Sequence, residues 1–305
     1  MTSVPVPAAR SRVEGRARRK KGLTVPRAGL HTFLILTSLV WITPVLWAVF
    51  TSFRPYADTA KHGYLSLPHA LSLSNYRNAW NQGQIPEHFW NSIIITLPAI
   101  VLILLFSSAV AFVVARFSFW FNVPLLVFFM AANLLPQQVI ITPLYELYLR
   151  IDLPTWLSES GLAYDSYVGL IAIHVAFQTG FCTFVLSNYM KTIPKSLTEA
   201  ARVDGAGVAR QYFKIILPLS RPALAALATL EFTFIYNNFL WALILINNGS
   251  KRPITAALNN LQGEFFTDNN LLAAGALMSA IPALFVFVVL QKHFVNGLTL
   301  GANKG

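Results

Sequence analysis

Residues 91–115 read NSIIITLPAIVLILLFSSAVAFVVA, with no Asp, Glu, Lys or Arg among them. At 1.5 Å per residue a helix of that length is about 37 Å long, more than the ~30 Å hydrocarbon core of a bilayer. Around it the same reading recurs. Residues 30–53, 120–145, 168–190, 223–246 and 271–290 are each long and apolar enough for one crossing, and Glu231 is the only Asp, Glu, Lys or Arg in all six runs.

Composition agrees with the runs. The 305 residues are 55% hydrophobic and only 11% charged, with a mean hydropathy of +0.55. A soluble domain carries roughly 25% charged residues, so this chain lacks the means to coat a water-facing surface. An ordinary soluble enzyme and a disordered chain are both excluded. The expected fold is all-α, a polytopic membrane protein with six transmembrane helices.

Orientation follows from Lys and Arg, which favour cytoplasmic loops. With the N-terminus inside, only Arg54, Lys61, Arg77, Arg150, Lys251 and Arg252 fall outside, leaving seventeen of the 23 basic residues inside. Both termini are therefore expected in the cytoplasm. Residues 1–27 hold eight of those seventeen against Glu14 alone, and read as a disordered basic tail beside anionic lipid. No aromatic residue is interleaved there to stack on bases, so nucleic acid is not the expected partner. The first run is too long for a signal-peptide core, and residues 51–55, TSFRP, are no small-residue cleavage site. It is expected to be retained.

Cys182 is the only cysteine, which leaves no intrachain disulfide and makes a small buried residue the default. The six His are spread without ligand spacing, so no metal site is expected. Pro44, Pro98, Pro136, Pro143 and Pro282 interrupt apolar runs and should kink them.

The longest inside connection differs from every other. Residues 191–222 read KTIPKSLTEAARVDGAGVARQYFKIILPLSRP. Ser196 and Glu199 have capping-box spacing, so a short amphipathic helix should start at Ser196, with Leu197, Ala200, Ala201 and Val203 as a small apolar ridge. Gly205 and Gly207 should end it, and a second helix should run from Val208 until Pro218 stops it. Such a hairpin has the shape to lie in another protein's groove, or it simply links two spans.

Glu199-Ala200-Ala201, three residues, Gly205, nine residues, Ile215, one residue, Leu217-Pro218 resembles the full EAA-loop pattern of permeases in binding-protein-dependent ABC importers. Ser52-Phe53-Arg54-Pro55, Asn91-Ser92, Pro136 with Gln138, and Asp165-Ser166-Tyr167 with Gly169-Leu170 extend the likeness. The ending Phe294-Val295-Asn296-Gly297-Leu298-Thr299, with Gly301 and Lys304-Gly305, is similar to that of MalG-type carbohydrate permeases. The chain departs where relatives read Trp-Asn-Glu-Phe-Leu-Trp: here residues 236–241 are YNNFLW, with Asn238 in place of the acid. Ile173 stands where many relatives have Pro, which should leave the fourth helix straighter.

The resemblance implies a permease domain over 28–295 and a cytoplasmic C-terminal tail over 296–305. Glu199, Ala200, Ala201, Asp204 and Gly205 would contact a separate ATPase dimer, with Ile215, Leu217 and Pro218 positioning the next span. Gly297, Leu298, Thr299, Gly301 and Lys304 would reach the same ATPase. Further partners implied are a second, MalF-like permease and an extracytoplasmic solute-binding protein. No G-x-x-x-x-G-K-[ST] run exists in the sequence, so ATP and Mg are expected on the partner, and no cofactor or catalytic residue is expected in this chain.

Inside the spans, Asn133 and Gln137, His174 and Gln178, and Glu231 and Asn238 pair at helical spacing. With Gln138, Tyr236 and Asn237 they could line a sugar path, since a sugar needs hydrogen bonds and an aromatic face. Each could equally be interhelical glue, and Glu231 either a functional carboxylate or a paired structural one. A sugar or oligosaccharide is the expected solute. A glycerol-phosphate or polyol importer is the near alternative, and an autonomous secondary transporter or channel the distant one.

Overall fold

The computed structural model describes the backbone of residues 25–262 and 267–299, and side chains over 28–262 and 267–291. Expectations for the basic tail through residue 24, and for Gly301 and Lys304, lie outside the described residues. Gly297, Leu298 and Thr299 end a helix whose side chains there are likewise outside the description.

All named elements among the described residues are helical. They are α1 (Val25–Ser52), α2 (Tyr56–His62), α3 (Ser74–Gln82), α4 (Ile85–Arg116), α5 (Asn122–Leu134), α6 (Ile141–Tyr148) and α7 (Tyr167–Thr192). There follow α8 (Ser196–Val203), α9 (Val208–Gln211), a π-helical turn (Tyr212–Ile216), α10 (Leu217–Leu219), α11 (Arg221–Tyr236), α12 (Leu240–Leu245), α13 (Ile254–Ala257) and α14 (Asn269–Thr299).

The chain divides after Trp47 into two units. In the first, two polar side chains of α1 find partners in its own backbone: the Ser38 and Thr43 hydroxyls donate to the Leu34 and Leu39 carbonyls, each at 2.7 Å. The second unit is built on α4 packed along α7. Ala99, Ser107, Ser108 and Ala111 of α4, and Gly180, Cys182, Thr183 and Ser187 of α7, are buried. Lipid offers no hydrophobic drive between helices, so such small residues, which let backbones approach, are what favour close pairing. α11 packs on α14 and on α4.

Hydrogen bonds sort the connections of this unit into two ends. At one end, Asn75 Nδ2 donates to the Ser52 and Arg54 carbonyls, and Asn270 Nδ2 also donates to the Arg54 carbonyl. There Asn91 Nδ2 donates to the Ser250 carbonyl at 2.6 Å, and Asp165 Oδ1 accepts from the Asn247 and Asn248 N–H groups at 2.8 Å each. Lys251 pairs with Glu159 at 2.8 Å, and its hydrogen bond and charge hold the Glu159 carboxyl below its ordinary value. At the other end, Arg116 Nη1 donates to the Ile193 carbonyl at 3.0 Å. Since α4 and α7 both run from the first end to the second, α5–α6 and α9–α12 must each return to the first. Among the described residues four helices are long and apolar enough to cross alone, and with each of these two bent runs counted as one span the total is the six expected.

Two of them are not straight. Residues 120–145 do not form one helix: α5 and the helical run Gln137–Tyr148 meet at 89°. Pro136 has no N–H to continue the ladder and pushes Leu135 into extended backbone, at φ −70°, ψ 130°. In the fifth crossing, the run Val208–Leu219 meets α11 at 71°, with Pro222 just inside α11. The second loop helix thus passes Pro218 and stops at Ser220. α11 itself ends at Tyr236, and α12 starts only at Leu240. Pro44, Pro98 and Pro282 lie inside continuous helices, while Pro143 sits harmlessly in the first turn of α6.

Entry into α7 is fixed by Ser166, whose Oγ accepts from the Gly169 N–H at 3.0 Å. A Cβ at Gly169 would fall on the Ala163 carbonyl oxygen, so only glycine fits. With Ile173 in its sequence, α7 runs unbroken for 26 residues.

Candidate coupling loop and membrane interior

The exposed helix α8 sits between two anchored ends. The capping box does not form: Lys195 precedes the helix without a side-chain cap, and Thr198 Oγ1 instead donates to the Lys195 carbonyl at 2.8 Å. Its C-terminus is a Schellman motif. The Ala206 N–H reaches back to the Ala201 carbonyl at 2.8 Å and the Gly205 N–H to that of Arg202 at 3.1 Å, with Gly205 at φ +76°. The predicted ridge splits: Ala201 and Thr198 turn inward, while Leu197, Glu199, Ala200, Val203, Asp204 and Gly205 are exposed. Val203 is 89% exposed, an apolar side chain placed in the open beside a carboxylate.

What holds α8 was not legible in the motif. Gln211 Nε2 donates to the Ala206 carbonyl at 2.8 Å, bracing the turn after Gly205. The Tyr212 hydroxyl shares a 2.7 Å hydrogen bond with Ser108 Oγ of α4, and its ring lies 5.3 Å from Phe112. Ile216 is fully buried, whereas Ile215, Leu217 and Pro218 are half-buried alongside it. Arg116, from α4, holds the Ile193 carbonyl just before α8. The only sequence signals for these were a lone basic residue closing an apolar run, and a tyrosine in the variable stretch of the motif.

Among the interior residues, the structure changes which ones meet. The break at Pro136 separates Asn133 from Gln137, so they share no helix face. Asn133 Nδ2 donates across to the Phe177 carbonyl at 3.0 Å and borders a cavity of about 420 Å³ walled by Phe106, Phe128, Phe129 and Phe177. Gln137 is half-buried and Gln138 exposed in the 3-10 turn beyond the break. His174 and Gln178 do lie on one continuous helix, the first buried and the second half-buried. Asn238 lies past the end of α11, so it does not share a face with Glu231. Its Oδ1 accepts from the Trp241 N–H at 3.1 Å, starting α12. Asn237 is exposed and folds back to the Thr233 carbonyl.

Glu231 is fully buried, with Cys182 Sγ donating to its Oε1 at 3.2 Å, while Oε2 has no hydrogen-bond partner among the described residues. Tyr236 is 1% exposed, stacked on Phe232 at 5.3 Å, and donates its hydroxyl to the Ser279 carbonyl.

Comparison with known proteins bears on these elements together. The family model described as binding-protein-dependent transport system inner membrane component matches residues 107–299, from the last third of α4 through α14. The probable ABC transporter permease YurM of Bacillus subtilis is 32% identical over 301 residues, covering 99% of this chain and 96% of that protein. The diacetylchitobiose uptake system permease NgcG of Streptomyces coelicolor is 30% identical over 273 residues, 89% of this chain and 87% of that one. Among solved structures, a bacterial ABC transporter involved in import of the acidic polysaccharide alginate aligns with a TM-score of 0.72 at 22% identity, over 88% of this chain and 95% of its own. The bent fifth crossing, the exposed α8 and the α4–α7 pair thus lie within a matched whole, and the chain belongs to the inner membrane permease family of binding-protein-dependent ABC transporters.

Proposed function

We propose that this chain is one of two permease subunits of an ATP-driven importer for a neutral sugar or oligosaccharide. A binding protein delivers the solute, and a separate ATPase dimer holding ATP and Mg supplies the energy. The observation that carries the reading is α8 itself, which presents Leu197, Glu199, Ala200 and Val203 outward while Tyr212 and Arg116 tie both its flanks to α4. An ATPase cleft closing on α8 would pull on α4 and, through the π-helical turn, on α11. Closure can shift the inward–outward balance only by binding one state better than the other, and a rigidly anchored α8 converts a local contact into that difference. A second, MalF-like permease completes the path. Support for a sugar comes from the uptake named for NgcG and from six apolar runs that carry no Lys or Arg to hold a phosphorylated solute.

The test is purification of the tagged chain from its own membranes in mild detergent, with mass spectrometry of what accompanies it. Recovery of an ATPase, a second permease and a sugar-binding protein is expected. Recovery of the chain alone, in a detergent that preserves a reference ABC complex, would return it to the autonomous transporters. A co-purified binding protein that takes phosphorylated polyols but no sugar would move the solute class instead.

A further inference from the structure

The connection between α1 and α3 carries a group of side chains that the importer reading leaves unused. Arg54 is 1% exposed and donates Nε to Asp58 Oδ2 at 3.0 Å. Its remaining N–H groups go to the Gly63, Tyr64 and Ser66 carbonyls and to Ser66 Oγ. The loop after α2 is thereby wrapped around the guanidinium, and the chain returns to bring His69 against Asp58, whose Oδ2 accepts the His69 N–H at 3.4 Å. His69 follows His62 by seven positions, a spacing with no ligand signature, yet their rings stack at 3.9 Å.

One carboxylate oxygen is thus taken by Arg54. The other, Oδ1, faces both imidazoles: His62 Nδ1 is 3.1 Å away and His69 Nδ1 3.7 Å. One ligand atom from each of the three residues lies within 4.8 Å of the others. Around a tetrahedral ion with ~2.0–2.1 Å bonds, neighbouring ligand atoms stand about 3.3 Å apart, a separation the two measured distances bracket. Closing the set needs the two rings to unstack so that both Nδ1 lone pairs point at one ion, and His69, whose side chain is 61% exposed, has the room to turn.

We propose that Asp58, His62 and His69 bind a borderline divalent cation, Zn²⁺ foremost. Two imidazoles and one carboxylate suit Zn²⁺ rather than Mg²⁺ or Ca²⁺, which prefer all-oxygen shells. Arg54 acts as the outer-shell group that orients the carboxylate. Three protein ligands leave a fourth position for water, so the ion exchanges with solvent. The nearby guanidinium repels it, which sets the affinity well below that of a structural zinc site. Once bound, the ion ties α2 to the returning segment. Through the Arg54 carbonyl, which accepts from Asn75 and Asn270, that clamp continues to α3 and the start of α14.

The experiment uses the full chain carrying a tag without histidine, stripped with chelator in detergent and titrated calorimetrically with ZnCl₂. Co²⁺ is titrated in parallel and followed by its visible absorption. One Zn²⁺ per chain is expected for the wild type and for H31Q, a histidine distant in sequence. At least about tenfold weaker binding and loss of the Co²⁺ bands are expected for H62Q and H69Q. H69Q alters an exposed side chain and so keeps the fold intact for comparison. Absence of saturable binding by the wild type, or equal affinity in H62Q and H69Q, overturns the site and identifies the group as a hydrogen-bonded histidine stack.

Discussion

Gly205 shows how one backbone angle sets the shape of an exposed element. Its φ of +76° lies in the left-handed region, and an added Cβ there would meet nothing within 4 Å. The requirement for glycine is therefore conformational and not steric. An L-residue forced into that region costs about 1–2 kcal/mol, and Asn tolerates it better than Ala because its side chain bonds locally. That cost falls on the Schellman turn that ends α8 beside Asp204. Gly205→Ala is therefore expected to lower ATP-driven uptake in proteoliposomes by roughly five- to thirtyfold per inserted complex, and Gly205→Asn by distinctly less. Equal uptake by all three would show that the left-handed turn has no part in coupling.

At the scale of elements, Tyr212 joins the loop to α4 in two ways that substitution can separate. Its hydroxyl bonds Ser108 Oγ, which also donates to the Leu105 carbonyl and so stays satisfied if the phenol is lost. Tyr212→Phe should then cost about 1 kcal/mol and leave uptake nearly intact. Tyr212→Ala removes the ring from beside Phe112, a loss of about 3–5 kcal/mol for a buried aromatic, and should abolish uptake while the chain still inserts. Retained uptake in Tyr212→Ala, measured with ATPase activity of the same complex, would move the anchor elsewhere. The six apolar runs were legible because the bilayer fixes their length, and α8 because Ser196 to Gly205 carries its own periodicity and stop. The breaks were not. Pro98 and Pro282 sit in continuous helices while Pro136 marks an 89° bend, and which outcome occurs depends on neighbours that take up the freed carbonyls. The pairing of Asn238 with Glu231 failed for the same reason, since helical spacing holds only where the helix continues. His62 and His69 meet because Arg54 gathers the carbonyls between them, a tertiary event that no spacing announces.

For the molecule as a whole, parity is the deciding quantity. The hydrogen bonds among Asp165, Asn247, Asn91 and Ser250 put the 149–166 and 246–253 connections at the end where α4 begins. On that placement the bent α5–α6 pair is predicted to cross the bilayer and not dip back out of it, and the excess of Lys and Arg predicts that the opposite end faces the cytoplasm. Three single-cysteine substitutions test both statements, because native Cys182 is buried and should not react. Leu65, Trp156 and Val203 are 88%, 81% and 89% exposed, so cysteines there should be open to a membrane-impermeant maleimide. In intact spheroplasts Leu65→Cys and Trp156→Cys are expected to label, and Val203→Cys only after the membrane is opened and any peripheral ATPase is stripped from α8. If Trp156→Cys instead follows Val203→Cys, the α5–α6 pair is re-entrant and the six-crossing count fails. If all three patterns invert together, the crossings stand and the orientation read from charge is reversed, which would place α8 where no cytoplasmic ATPase could reach it.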